Sequence, residues 1–132
     1  MFADTGYWIA LLNSRDELHR KASDVSRNFA PTQIVTSEMV LTEFLNSFSG
    51  YGTSLRHAAA RAVDSLRQSS VLVLPQTSQL FELAFQRYRN MGDKGWSLTD
   101  CSSFILMEQE RLTAALTYDR HFTQAGFQIL LR

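Results

Sequence analysis

Ala114-Ala115-Leu116-Thr117-Tyr118-Asp119 decides the fold, because a short apolar run ends there in an acid. Its apolar residues do not alternate with polar ones, as expected of a strand covered on both faces of a parallel sheet. The predicted strand is Ala114–Thr117. Three further runs read the same way: Gln33-Ile34-Val35-Thr36, Val71-Leu72-Val73-Leu74 and Phe127-Gln128-Ile129-Leu130-Leu131. Met1-Phe2-Ala3 makes a fifth, very short strand. Between the runs, apolar residues recur at helical steps of three and four: Leu18, Ala22, Val25 and Phe29; Leu55, Ala59, Ala62 and Leu66; Phe81, Phe85 and Tyr88; Cys101, Phe104 and Ile105. A helix is also expected over Tyr7–Leu12. The only two prolines, Pro31 and Pro75, fall near element boundaries. Strands alternating with helices predict an α/β fold with a mainly parallel sheet and right-handed crossovers. The 132 residues suit one domain spanning the whole chain.

Composition narrows the function. The 45% hydrophobic and 20% charged residues match a soluble globular protein. No apolar run approaches the roughly 18 residues of a membrane span, and no signal peptide is visible. Cys101, the single cysteine, excludes an internal disulfide and a cysteine-based zinc site. These features point to the cytoplasm and away from membranes. A formal net charge of zero removes any global basic field. The 13 cationic side chains are nevertheless eleven Arg and only Lys21 and Lys94. Arg suits bidentate phosphate contact, though genomic composition explains the bias equally well.

Four acids carry the chemical argument: Asp4, Glu43, Asp100 and Asp119. Asp4 and Asp119 fall just past the carboxyl ends of strands, where open α/β sheets bind ligands. Each of three acids has a structural alternative. Asp4 can cap the helix over Tyr7–Leu12, Asp119 can cap Arg120–Gln124, and Ser97-x-x-Asp100 reads as a capping box. Glu43 resists that explanation, since Ser37 is the natural cap of its helix and Val40, Leu41, Phe44 and Leu45 surround it. A salt bridge to an Arg is its alternative. Taken together, four carboxylates supply the hard oxygen ligands that Mg²⁺ and Mn²⁺ require. Phosphodiester cleavage with such a metal needs neither His nor Cys.

Four segments, in order, resemble the motifs of PIN-domain proteins. They are Asp4-Thr5-Gly6-Tyr7-Trp8, Ser37-Glu38-Met39-Val40-Leu41-Thr42-Glu43, Leu98-Thr99-Asp100-Cys101-Ser102-Ser103 and Leu116-Thr117-Tyr118-Asp119-Arg120-His121-Phe122. In size and motif the chain is similar to the VapC-like toxin subgroup of bacterial toxin–antitoxin systems. The resemblance implies helices sandwiching a parallel sheet of about five strands. It also implies a Mg²⁺- or Mn²⁺-dependent endoribonuclease. Asp4, Glu43, Asp100 and Asp119 match the family's metal-site and catalytic positions. Thr5, Ser97 and Thr117 match hydroxyls that orient carboxylates or waters, and Arg120 and His121 are candidates for phosphate contact. The implied partners are RNA, a cognate antitoxin and a second copy of the chain.

Other residues receive plainer readings. His19 and His57 are expected on the surface, and Cys101 in the core. Tyr7, Trp8, Phe44 and Phe48 belong to the core or a dimer interface. Tyr51 and Trp96 fall in loops where they could touch RNA. Gly50-Tyr51-Gly52 and Gly92-Asp93-Lys94-Gly95 are turns without the spacing of a phosphate-binding loop. Asp4-Thr5-Gly6 also matches the aspartic-protease triplet, but that fold is all-β. A haloacid-dehalogenase-type phosphatase would need an Asp where Gly6 stands. A phospho-receiver domain shares the layout but expects adjacent acids after its first strand and an acceptor Asp after Val71–Leu74, where Pro75-Gln76 stand. A PIN-like module that only binds RNA or protein is the remaining alternative.

Overall fold

The computed structural model describes residues 1–132. Five strands form one parallel sheet: β1 (Phe2–Ala3), β2 (Val35–Ser37), β3 (Leu72–Leu74), β4 (Ala114–Leu116) and β5 (Gln128–Ile129). Their order is β3-β2-β1-β4-β5. The chain steps from β1 outward to β3, then jumps back across β1 to β4. The order therefore reverses between β1 and β4, and the carboxyl ends of those two strands flank a crevice. This order differs from the 2-1-3-4-5 arrangement of receiver-type folds, which removes that alternative.

Seven helices connect and cover the strands: α1 (Thr5–Leu12), α2 (His19–Ser26), α3 (Glu38–Phe48), α4 (Thr53–Gln68), α5 (Ser78–Asn90), α6 (Leu98–Gln109) and α7 (Arg120–Gln124). Strand pleating sends neighbouring side chains to opposite faces. Phe2 and Ala115 pack with Leu80, Ala84, Phe104 and Phe122, on the side of α5, α6 and α7. Ala3 and Leu116 pack with Tyr7, Ala10 and Ala22, on the side of α1 and α2. The expected sandwich is what forms. Helix α6 is buried from Thr99 to Met107 without interruption. That explains a residue pattern with no polar face: it lies between the sheet and α5, and Arg87 of α5 clamps Glu108 of α6 at 2.9 and 2.8 Å.

Element limits shift by one or two residues at α1, β3 and β4, and the larger departures from the sequence reading are at β2, β5 and α5. Pro31–Gln33 forms a 3₁₀ turn, so β2 starts at Val35 rather than Gln33. Only Gln128 and Ile129 of the Phe127–Leu131 run pair as strand, although the Leu130 and Leu131 amides still donate to the Ala115 and Thr117 carbonyls. Along α5, Leu80 and Ala84 are buried while Phe81, Phe85 and Tyr88 are exposed. The helix is real, but its aromatic stripe faces outward. Its close approach to α6 selects smaller side chains.

Candidate active site

Asp4 ends β1, and its amide donates to the Leu116 carbonyl at 3.2 Å, which fixes it beside β4. It occupies the N-cap position of α1, yet its side chain makes no cap bond. Its carboxylate instead accepts from the Thr117 hydroxyl at 3.2 Å. Asp4 is 7% exposed. Burial pushes its carboxyl up to about 7; the Thr5 amide opposes this, and the charges of Asp100 and Glu43 reinforce it.

Asp100 sits at the third position of α6. Its Oδ2 accepts from the Ser97 amide at 3.1 Å, and its own amide donates to Ser97 Oγ at 3.0 Å. The capping box therefore exists. Asp100 Oδ2 also lies 2.9 Å from His121 Nδ1. Burial raises this carboxyl as well, against the Ser97 amide and His121, with the Asp119 charge adding to the rise. Asp119 caps α7, with Oδ1 accepting from the His121 amide at 2.9 Å. Thr117 Oγ1 serves both junctions, since it also accepts from the Asp119 amide at 3.1 Å.

Asp4, Glu43, Asp100 and Asp119 line one cleft of about 390 Å³, together with Thr5, Ser97, Thr117 and His121. Glu43 reaches it from α3, is exposed, and forms no salt bridge to any Arg. Arg120 is exposed and does not line the cleft. Capping and site membership are thus not alternatives, because Asp100 and Asp119 do both. Gly6 and Tyr118 also line the cleft. A Cβ on Gly6 would lie 3.0 Å from Tyr118 Cε1, so the absence of a side chain lets that ring pack over the start of α1. Gly6 lies two residues from Asp4 and Tyr118 directly before Asp119, and that nearness to acids is the signal that could have found them.

Two placements, Trp96 and His19, correct the sequence reading, whereas the core aromatics and Cys101 bear it out. Trp96 is buried, donates Nε1 to Gln124 Oε1 at 3.0 Å and packs edge-on against Phe104, so it is not an RNA-facing loop residue. His19 is partly buried, with Nδ1 2.7 Å from the Ala10 carbonyl. Tyr7, Phe44 and Phe48 are in the protomer's own core. Cys101 is fully buried, and burial raises its thiol, which leaves it inert.

The residues fit a divalent cation. Asp100, Asp119 and His121 each offer a ligand atom within 4.8 Å of the others. Thr5 lines the cleft, and its Oγ1 is buried with no hydrogen-bond partner, which leaves it open to a water or an ion there. Clustered carboxylates without a cation are costly.

Comparison with known proteins agrees. A family model described as the PIN domain matches residues 1–128. Endonucleases named 23S rRNA-specific endonuclease VapC20, from two strains of Mycobacterium tuberculosis, are 31% identical over 131 residues, 96% of this chain and 95% of theirs. The crystal structure of Mycobacterium tuberculosis VapC20, described as a Sarcin-Ricin loop cleaving toxin, superposes with a TM-score of 0.85 at 28% identity, covering 96% of this chain and 95% of that one. FitAcB from Neisseria gonorrhoeae shares the fold at 14% identity, with a TM-score of 0.70 over 98% of this chain and 95% of that one. VapBC2 from Rickettsia felis, bound to a DNA fragment from their promoter, does so at 13%, with a TM-score of 0.64 over 98% and 96%. Matched along almost its full length in both sequence and architecture, the chain belongs to the PIN-domain family.

Proposed function

We propose that this protein is a Mg²⁺- or Mn²⁺-dependent endoribonuclease and the toxin of a toxin–antitoxin pair. One observation carries the reading: four carboxylates from four separate elements line a single cleft beside the β1–β4 crevice, with Asp4 buried so deeply that its carboxyl titrates near 7. A divalent cation bound there supplies charge neutralisation at phosphorus and lowers the pKa of a water. The chain's own residues do the positioning. Thr117 holds Asp4, Ser97 and His121 hold Asp100, and the first turn of α7 holds Asp119. Glu43, with no ion-pair partner, is free to take a ligand or a water at the rim. Arg120, exposed beside Asp119, is placed to meet an RNA phosphate outside the cleft.

Likeness to VapC20, an endonuclease specific for 23S rRNA, supports structured ribosomal RNA as the substrate class. The description of the solved VapC20 structure as a toxin supports a cognate antitoxin as partner, and we expect a segment of it to occupy the cleft. A cytoplasmic location is part of the same proposal, since a toxin acting on RNA works where RNA is; no helix is long and apolar enough to cross a membrane. A homodimer fits the outward stripe Phe81, Phe85 and Tyr88 on α5, rather than Tyr7, Phe44 and Phe48, which are already used. Sedimentation at tens of micromolar tests it, and a monomer overturns it.

The decisive experiment incubates ribosomal RNA with the purified protein, with Mn²⁺ or Mg²⁺ and with excess chelator. Metal-dependent cuts bearing 5′-phosphate and 3′-hydroxyl ends are expected, and Asp4→Asn should abolish them. Cleavage that persists in chelator overturns the proposal.

A further inference from the structure

Resting on the reading of the cleft as a cation site, we propose that His121 is itself a cation ligand and that its imidazole tilts the site toward Mn²⁺ over Mg²⁺. Its Nδ1 lies 2.9 Å from Asp100 Oδ2 and 3.5 Å from Asp119 Oδ1. Adjacent ligand atoms of an octahedral site with metal–ligand distances of about 2.1 Å stand about 3 Å apart. The nitrogen therefore stands close to neighbouring-ligand spacing from each oxygen, and ligand atoms of all three residues lie within 4.8 Å of one another. An independent observation points to a ligand at the same place: Thr5, which lines the cleft, is 5% exposed and its Oγ1 has no hydrogen-bond partner.

The backbone keeps the ring there. The His121 amide is bonded to Asp119 Oδ1 at 2.9 Å in the first turn of α7. The side chain is 33% exposed, so an ion and its remaining waters can reach Nδ1. With no ion bound, Nδ1 lies at hydrogen-bond distance from Asp100 Oδ2, and in the tautomer that carries the proton on Nδ1 it donates to that oxygen. Ligation uses the Nδ1 lone pair with the ring proton on Nε2. The hydrogen bond and ligation therefore exclude each other: an ion about 2.1 Å from both atoms lies beside the Nδ1–Oδ2 axis, and a turn of the ring away from Oδ2 brings the lone pair to it. Mg²⁺ is held by oxygen ligands, whereas Mn²⁺ accepts carboxylate and imidazole together. A purely carboxylate cleft would discriminate less between the two ions.

Pulsed electron paramagnetic resonance of the Mn²⁺-loaded protein, without RNA, reads the ligand directly. Imidazole ¹⁴N couplings are expected, and His121→Gln should remove them. Calorimetry should show Mn²⁺ binding about tenfold weaker in His121→Gln, with Mg²⁺ binding changed by less than about twofold. Metal-free melting of that variant confirms that it folds. Mn²⁺ that binds in the cleft, as judged by its loss in Asp100→Asn, but shows no ¹⁴N coupling overturns the ligand assignment and leaves the cation site standing. Coupling with an unchanged Mn²⁺ to Mg²⁺ ratio overturns the selectivity. Failure of Mn²⁺ to bind at all overturns both this inference and the reading on which it rests.

Discussion

The β1–α1 and β4–α7 junctions lie side by side in the sheet and follow one plan, an apolar strand, an Asp and a helix, yet their acids end in opposite states. Asp119 caps its helix, with Oδ1 on the His121 amide at 2.9 Å, and its side chain remains 37% exposed. Asp4 holds the same position before α1, makes no cap bond, and is buried against Thr117. The difference is depth. β1 is the central strand, with β2 and β4 on its two sides, so its end lies at the floor of the cleft. The end of β4 is extended by Thr117 and Tyr118, which carry Asp119 up to the rim. One acid is a satisfied cap that can also reach a ligand; the other is held ready for a ligand and little else.

The largest expected effect is on chemistry at the floor. Asp4→Asn should lower RNA cleavage at least about 1000-fold, roughly 4 kcal/mol in the barrier, measured at saturating Mn²⁺. A residual rate within tenfold of the parent would place the floor acid outside the machinery.

Stability against pH should separate the two junctions next. The Asp4 carboxyl titrates near 7 when folded and near 4 when unfolded. Between those values the folded state holds the extra proton, so metal-free stability should fall as pH rises through that window, by up to about 4 kcal/mol. Denaturant titrations from pH 4 to 8 check this. Asp4→Asn should flatten the curve and stabilise the metal-free protein at pH 8, and a curve unchanged by that substitution would remove Asp4 as the cause. Mn²⁺ should raise the melting temperature more at pH 8 than at pH 5, since ion and proton compete for the same oxygens.

Cutting the link between the junctions is worth less. Thr117→Val deletes the donor to Asp4 and the acceptor for the Asp119 amide, and should cost about 1–2 kcal/mol. Asp119→Ala removes the α7 cap for about 1 kcal/mol of destabilisation. That sign is opposite to Asp4→Asn at pH 8. If the two substitutions shift stability the same way in metal-free buffer, the contrast between floor and rim fails.

Sheet, sandwich and the order of acids were legible because each depends on local pattern. Two-sided burial makes strands continuous in apolar residues, and helix caps repeat known residue types. What the pattern hides is depth and partnership. Ser97 and Asp100 read as a cap whether or not a cleft lies beside them. His121 reads as a candidate for phosphate contact until α7 is placed against α6, which brings it 2.9 Å from an acid 21 positions away. Phe81, Phe85 and Tyr88 read as a core stripe because size and hydrophobicity are local, whereas the choice of face belongs to α6. Trp96 reads as a free loop aromatic because Phe104 and Gln124 reach it only in the folded chain.

The strand order has a consequence for how the molecule comes into being. β1 is synthesised first but stands at the centre of the sheet, and Asp4 reaches its Thr117 partner only 113 residues later. Such long-range closure makes folding slow, since much chain entropy is lost before the pairing is gained. A nascent chain still short of β4 cannot close the cleft, whatever helices it has already formed. Timing is thereby written into topology: the acids assemble only when synthesis has passed Asp119, however early the other helices form.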